Sequence, residues 1–139
     1  MFQKGIEVAN LIKEERAVSM INSKDKGARF ERKLAAVFRE FGFTDSRRTA
    51  QYCGNTGDAS DVVGLPGIHV EAKHQEKMKL YDWMEQAKRD SKDGENLPTV
   101  FHKRNNHEIL VSMRLEDWMK LYCEWQNSMF LERYEDGKQ

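Results

Sequence analysis

Residues 57 to 73 read Gly-Asp-Ala-Ser-Asp-Val-Val-Gly-Leu-Pro-Gly-Ile-His-Val-Glu-Ala-Lys, and this pattern predicts two short strands joined by a turn at Pro66-Gly67. Successive side chains of an extended backbone point to opposite faces of a sheet. One face of the second strand is apolar, and we expect it to be buried; it consists of Ile68, Val70 and Ala72. The opposite face is available for chemistry and carries His69, Glu71 and Lys73.

Three charged residues are predicted to meet on this polar face. Asp61 stands at the head of the Val62-Val63 strand, and it reaches Glu71 and Lys73 if the two strands pair as an antiparallel hairpin. Paired carboxylates supply the hard oxygen ligands that Mg²⁺ prefers, and a lysine beside the metal can orient or help deprotonate a water. Phosphodiester hydrolysis requires these parts. The same spacing is also compatible with a solvated strand face that carries a ladder of Glu and Lys.

Length and composition indicate one globular domain. The chain has 139 residues, of which 39% are hydrophobic and 33% are charged, and it is large enough for a single core. Because no apolar run reaches membrane-spanning length and no secretory pattern begins the chain, we expect a cytoplasmic protein. Cys53 and Cys123 lie far apart in the sequence, so we expect reduced thiols and no zinc site.

The distribution of basic residues bears on nucleic-acid binding. The formal net charge is zero, with 23 basic and 23 acidic residues, so binding would depend on local patches. Each basic cluster alone is compatible with a solvated surface, but four of them flank the candidate site. The predicted DNA-contacting residues are Lys24, Lys26, Arg29, Arg32, Arg47, Arg48, Lys77, Lys103 and Arg104.

The N-terminal part predicts two helices. Residues 2–21 keep an apolar stripe at helical spacing, and residues 22–27 break this pattern as a linker or turn. The second helix begins at Ala28 and ends at Gly42. Glu31 lies beside the buried stripe of this helix, and it either points across at Asp61 or is an ordinary surface glutamate.

Between this helix and Asp61, we expect an extended segment over residues 44–52 and a polar loop over residues 53–57. Arg47, Arg48 and the loop glycines suit contact with a phosphate backbone. Asp58 is a second carboxylate near Asp61. We favour Asp61 as the metal ligand because it leads directly into a buried strand.

The C-terminal half predicts a helix, two strands and a final helix. The first of these helices spans about residues 81–91, with Gln86 either near the site or on the surface. Strands over residues 97–103 and 108–113 are joined by a turn at Asn105-Asn106. The predicted inner stripe of the first helix is Tyr81, Met84, Ala87 and Lys88.

The final helix starts near Leu115 and has an apolar stripe rich in aromatic residues. Such a stripe favours the protein core or a dimer interface over a platform for base stacking. Its residues are Trp118, Leu121, Tyr122, Trp125 and Met129.

The order of elements and several motifs resemble the PD-(D/E)xK nuclease superfamily, whose αβββαβ core is the framework for its site. More narrowly, the chain resembles archaeal-type Holliday junction resolvases and related small phage endonucleases over about residues 26–122. The motifs are Gly27-Ala28-Arg29-Phe30-Glu31-Arg32, Phe41-Gly42-Phe43, Asp61-Val62-Val63, Val70-Glu71-Ala72-Lys73, Glu85-Gln86-Ala87 and Leu97-Pro98-Thr99-Val100.

The resemblance implies a restriction-endonuclease-like α/β fold, with a mixed central sheet flanked by helices and an extra N-terminal helix. It implies a metal site formed by Glu31, Asp61 and Glu71, with Lys73 as a catalytic residue and Gln86 in support. Family members bind Mg²⁺, for which Mn²⁺ substitutes, and act as homodimers on branched DNA. We expect a nuclease domain over residues 26–133, a helical extension over 1–25 and a polar tail over 134–139.

Some features depart from the family pattern and leave other functions open. Ser60 stands where many members have proline, at a position that we treat as variable. A PD-(D/E)xK endonuclease that acts on other DNA is one alternative, because a fold does not determine a substrate. Others are a non-catalytic phage DNA-binding or packaging protein, and an interaction protein that uses the Trp118 and Trp125 helix.

Overall fold

The computed structural model describes residues 23–49, 60–91 and 95–137. The predicted helix over 2–21, the polar loop with Cys53, and Asp58 lie outside the described residues. In the described ranges, no helix combines the length and the apolar character needed to span a bilayer.

A mixed five-stranded sheet forms the centre of the described fold. Its strands lie side by side in chain order, as β1 (Arg47–Arg48), β2 (Val62–Val63), β3 (Ile68–His74), β4 (Leu97–Lys103) and β5 (Leu110–Met113). Strands β3 and β4 are parallel, whereas every other neighbouring pair is antiparallel. The predicted α/β class with a mixed central sheet is confirmed.

The turn at Pro66-Gly67 joins β2 to β3, as predicted. The Ile68 N–H donates to the Leu65 carbonyl at 3.2 Å, and Gly67 has a φ of +81°, as is typical of a type II turn. Val62 pairs with Val70 in the antiparallel register. The hairpin therefore brings the residue before β2 alongside the middle of β3.

Helix α1 comprises residues 23–40 and covers one face of the sheet. Phe30, Leu34 and Phe38 are buried in one cluster with Val70 and Phe101 of the strands. The helix is followed by the predicted terminating glycine, Gly42, whose N–H donates to the Arg39 carbonyl at 3.0 Å.

The predicted linker over 22–27 is wrong for residues 23–27, which are helical. A polar segment without apolar periodicity need not end a helix, because its side chains can all face solvent. Residues 23–25 are exposed, and Lys26 reaches Glu76 with its ammonium group at 3.5 Å. The helix also tolerates Gly27, since an internal glycine costs only about 1 kcal/mol relative to alanine.

Helix α2 (Leu80–Asp90) connects β3 to β4 and covers the opposite face of the sheet. Trp83 and Ala87 are its buried residues, and they pack against Val100 of β4. The side chains of β3 that point away from α1 therefore lie beneath α2.

The predicted inner stripe of this helix is confirmed at Ala87 and Met84 and is wrong at Tyr81 and Lys88. Tyr81 is 89% exposed and Lys88 is also exposed, whereas Trp83 is buried. Burial of the Trp83 ring, with Leu80 and Met84 packed at its sides, removes more apolar surface from water than burial of Tyr81 would.

Helix α3 (Leu115–Asp136) carries its aromatic residues on the surface. Trp118 is 48% exposed and Trp125 is 56% exposed, so the core assignment of the stripe is wrong, while the dimer interface stays a prediction. The helix has apolar residues around its whole circumference, so helical spacing could not identify an inner face. Cys123 on this helix is exposed, and the predicted reduced state of both thiols stays a prediction because Cys53 lies outside the described residues.

Candidate active site

The polar face of β3 is buried beneath α2. In the parallel register Glu71 lies opposite Val100, which packs against Trp83 and Ala87. Glu71 is consequently only 1% exposed. A carboxylate at this depth requires cationic partners or hydrogen-bond donors, because the loss of hydration is costly.

Asp61 is held against the edge of β3 by hydrogen bonds from its backbone and its side chain. Its N–H donates to the Val70 carbonyl at 2.9 Å, and its Oδ2 accepts the Ala72 N–H at 2.8 Å. The Asp61 side chain thus takes the place of a backbone acceptor. If β2 were longer, its own backbone would pair with the Ala72 N–H of β3. Because Ala72 is adjacent to Glu71 in the chain, this bond fixes the Asp61 carboxyl near Glu71.

The pKa of Asp61 is raised from 3.8 to about 7. Desolvation by burial is the largest cause, and the negative charge of Glu71 is the second. The Ala72 hydrogen bond lowers the pKa, Glu31 raises it, and Lys73 lowers it. Asp61 therefore senses both of the other predicted ligands, and a bound cation would favour its ionised form.

Lys73 connects β3 to α2 through its ammonium group. Its Nζ lies 3.1 Å from Glu71 Oε1 and donates to Gln86 Oε1 at 3.1 Å. The structure therefore brings together Glu71, Lys73 and Gln86, three of the predicted site residues. The predicted position of Gln86 near the site, rather than on the surface, matches this contact.

Glu31, the third predicted ligand, is paired with a basic residue of β1. Its Oε2 accepts a hydrogen bond from Arg48 Nε, and both side chains are largely buried. A predicted metal ligand and a predicted DNA-contacting residue are thus bonded to each other. In this arrangement Arg48 occupies Glu31 Oε2.

The donor set fits a hard divalent cation in its chemistry. Glu71 Oε2 is buried without a hydrogen-bond partner, and neighbouring carboxylates raise the pKa of Asp61. Both features are unfavourable for the protein alone and would be relieved by a cation bound between oxygen ligands. Across residues 23–49, 60–91 and 95–137, however, no three His, Cys, Asp or Glu side chains are already arranged to hold a metal ion.

Several predicted DNA-contacting residues lie at the end of the sheet where β3 and β4 finish. Lys26 contacts Glu76 at 3.5 Å, and Glu76 accepts the Asn105 N–H at 2.7 Å in the turn after β4. The pKa of His74 is lowered by burial first and then by the charge of Lys26, with Lys103 contributing less. Positive charge from Lys26 and Lys103 is therefore concentrated at this end of the sheet, where β3 finishes just after Lys73.

The remaining predicted DNA-contacting residues lie mostly on the surface. Arg48 is the exception, because it is bonded to Glu31. The exposed residues are Lys24, Arg29, Arg32, Arg47, Lys77 and Arg104.

Ser60 has a structural task that the sequence did not reveal. Its Oγ accepts the Val70 N–H at 2.9 Å and donates to the Val62 carbonyl at 2.8 Å. Thr49 reinforces the same corner, since its Oγ1 donates to the Ser60 carbonyl at 2.6 Å. Ser60 thereby fixes the backbone from which Asp61 projects. The sequence did contain one signal of this role, because a short polar residue stands directly before the candidate ligand Asp61.

His69 is a second group to which the sequence assigned no role. Its Nε2 lies 3.9 Å from Glu71 Oε2. Both atoms are buried and have no hydrogen-bond partner. The period-2 pattern of β3 predicted that these residues share a face, but it could not predict how closely their polar atoms approach.

The fold and the site together define the class of protein. A mixed sheet that carries Asp61 at one strand edge, with Glu71 and Lys73 on the adjacent strand, is the arrangement of a PD-(D/E)xK nuclease. The family model described as "Phage putative PDDEXK endonuclease" matches residues 22–136, and the chain belongs to this family. PD-(D/E)xK nucleases generally use a divalent metal ion. Comparison with curated proteins and with solved structures found no match.

Proposed function

We propose that the protein is a Mg²⁺-dependent endonuclease that cleaves branched DNA, with Mn²⁺ as a substitute ion. The observation that carries the proposal is the convergence of Asp61, Glu71 and Lys73. The Ala72 N–H holds Asp61 beside Glu71, whose other neighbour is the Lys73 ammonium at 3.1 Å. Membership of a phage endonuclease family supports hydrolysis of DNA.

In this proposal the carboxylates of Asp61 and Glu71 hold the metal, and the lysine acts on the reacting groups. When bound, the metal supplies a Lewis acid for the scissile phosphate and lowers the pKa of a water. Lys73 positions the attacking water or stabilises the negative charge that develops on the phosphate. Gln86 restricts the Lys73 side chain through the 3.1 Å hydrogen bond, so that the ammonium is pre-positioned.

Arg48 couples phosphate binding to the metal site in this proposal. Its guanidinium is a strong ligand for phosphate oxygens. When Arg48 engages the DNA backbone, it releases Glu31, which then becomes available as a third carboxylate. Lys26, Lys103 and Arg104 supply further positive charge at the end of the sheet where β3 and β4 finish. This charge favours binding of the DNA backbone.

The preference for branched DNA and the homodimer are supported by the resemblance to Holliday junction resolvases. A four-way junction has approximate two-fold symmetry, so a dimer with two-fold symmetry would present one site to each of two opposed strands. For a phage-family enzyme of this kind, we expect action on DNA in the cytoplasm of a bacterial host.

Cleavage of end-labelled DNA tests the proposal. The substrates are a four-way junction, a linear duplex and single-stranded DNA, each in Mg²⁺, Mn²⁺ and EDTA. We expect paired symmetric nicks in the junction that are absent in EDTA and in Asp61→Asn. The control Asp82→Asn removes an exposed carboxylate of α2 and should cleave like the wild type.

The other outcomes separate the parts of the proposal. Cleavage of all three substrates would support nuclease activity but contradict the preference for junctions. DNA binding that survives EDTA, without cleavage of any substrate, would contradict the catalytic role and favour a non-catalytic DNA-binding protein.

A further inference from the structure

We infer that His69 is a positioning residue for the metal ligand Glu71, to which its Nε2–H donates a hydrogen bond when a divalent cation is bound. The inference rests on the proposed function, because Glu71 has to be a metal ligand. It adds to the site a residue that touches neither the metal nor the DNA but orients a group that does.

The observation behind this role is a pair of buried polar atoms without partners. His69 is 3% exposed and Glu71 is 1% exposed. The two side chains point to the same face of β3, because they are two residues apart on one strand. His69 Nε2 and Glu71 Oε2 lie 3.9 Å apart, and each lacks a hydrogen-bond partner.

The two atoms are suitable partners for each other. A hydrogen bond of this kind spans about 2.8 Å, so the gap has to shorten by about 1 Å. Rotation of the Glu71 carboxylate can achieve this, because the terminal torsion of glutamate has a broad energy well. In the present arrangement His69 Nε2 is buried and donates to no acceptor.

The two oxygens of Glu71 have different partners, and this difference explains why a metal site needs the His69 donor. Oε1 is already bound to the Lys73 ammonium at 3.1 Å. Oε2 has two lone pairs and can accept one N–H while it binds a cation with the other. With Lys73 on one oxygen and His69 on the other, the carboxylate would be held in one orientation, as hydrogen-bonded metal ligands usually are.

Binding of Mn²⁺ without DNA tests the inference, measured by electron paramagnetic resonance of the free ion. His69→Leu removes the donor, whereas His69→Gln retains an N–H at a similar reach. Loss of such an outer donor typically weakens metal binding about 10-fold to 100-fold. We expect a loss of at least about 10-fold in His69→Leu and of less than about 3-fold in His69→Gln.

A matched control separates this role from general damage to the core. His102→Leu removes another buried imidazole from the same face of the sheet, on β4, where the ring bonds to Ser112 Oγ at 2.8 Å. We expect His102→Leu to lower the melting temperature without weakening Mn²⁺ binding beyond about 3-fold. His69→Met is a second donor-free variant for the case in which His69→Leu does not fold.

The outcomes distinguish this inference from the proposed function. Wild-type protein that takes up no Mn²⁺ would overturn the metal site and the role of His69 together. Wild-type protein that binds Mn²⁺, alongside a folded donor-free variant that binds it equally well, would overturn the role of His69 alone. Equal weakening in His69→Leu and His69→Gln would also overturn it, because the donor would then be irrelevant.

Discussion

Two opposing effects act on the pKa of the Asp61 carboxyl group. The Ala72 N–H favours the ionised form, because it donates to Oδ2 at 2.8 Å. Burial and the nearby charge of Glu71 favour the protonated form and outweigh that bond, so that the pKa rises to about 7. Below about pH 7 the metal-free protein therefore holds a proton at the position where the proposed site needs a negative charge, and metal binding at such a pH has to release this proton.

The first prediction concerns the dependence of stability on pH. A raised pKa in the folded state means that the folded chain keeps the Asp61 proton while the unfolded chain loses it. The stabilising contribution is complete below pH 3.8 and is lost as the pH rises to about 7. At about 1.4 kcal/mol per pH unit, the upper limit of this loss is about 4 kcal/mol, and partial exposure of Asp61 reduces it.

Urea unfolding in EDTA between pH 4 and pH 8 measures this contribution. Asp61→Asn cannot ionise, yet its side-chain carbonyl can still accept the Ala72 hydrogen bond. The variant should therefore lack the part of the slope that is due to Asp61, whereas Asp82→Asn should keep it. Parallel curves for the wild type and Asp61→Asn would contradict the assignment of the raised pKa to Asp61.

The residues of the candidate site differ in how far the sequence could predict them. Asp61, Glu71 and Lys73 were predictable because strand periodicity and hairpin pairing determine which side chains share a face. The contacts of Ser60 and His69 were not, because they depend on distances of a few ångströms between a side chain and a neighbouring strand. The Arg48 bond to Glu31 was also not predictable, since it joins a helix to a strand and depends on how the two pack.

At the scale of elements, the strands and turns were more predictable than the helix faces. β3 and β4 were recognisable because apolar residues and turn signals bound them on both sides. The inner face of α2 was predicted only in part, because several stripes on this helix contain apolar residues: Met84 and Ala87 were correct, but Tyr81 was predicted in place of Trp83. Helix α1 also extends into residues 23–27, since a polar turn carries no signal that separates helix from loop.

The second prediction concerns the close approach of Gly64, directly after β2, to the backbone of Ser46, directly before β1. Gly64 has a φ of +94°, and a Cβ added there would lie 2.6 Å from the Ser46 backbone. Gly67 has a φ of +81°, but an added Cβ would meet nothing within 4 Å. A substitution at either glycine would thus meet backbone strain, but only a substitution at Gly64 would also meet a steric clash.

We expect Gly67→Ala to lower the free energy of unfolding by about 1 kcal/mol, as left-handed backbone costs an L-residue. Gly64→Ala should cost several kcal/mol, roughly 3 or more, because the Ser46 backbone cannot move aside without disturbing β1. Urea unfolding of both variants checks the difference. Equal losses would contradict the steric clash and show that the Ser46 backbone can move aside.

At the scale of the whole molecule, helix α3 is the feature that the single chain does not explain. Exposed apolar side chains grouped on one element are typical of an interaction surface, and Trp118 and Trp125 are about half exposed. Acidic residues outnumber basic residues on this helix, so it is unsuited to a DNA backbone. Its surface is therefore better suited to a protein partner, and a second copy of the chain is the partner that the proposed action on branched DNA requires.

The third prediction is that the wild-type protein is a dimer and that α3 forms its interface. Charged residues at the centre of such an interface would be desolvated without partners, so the double variant Trp118→Glu, Trp125→Glu should be a folded monomer. Tyr81→Glu is the matched control, because Tyr81 is exposed on α2, and it should remain dimeric. Sedimentation equilibrium measures the mass of each protein.

The monomeric variant should still bind Mn²⁺, because the site lies between α2 and the sheet, but it should lose paired nicks on a four-way junction. A wild type that sediments as a monomer would contradict both the interface and the two-site mode of cleavage.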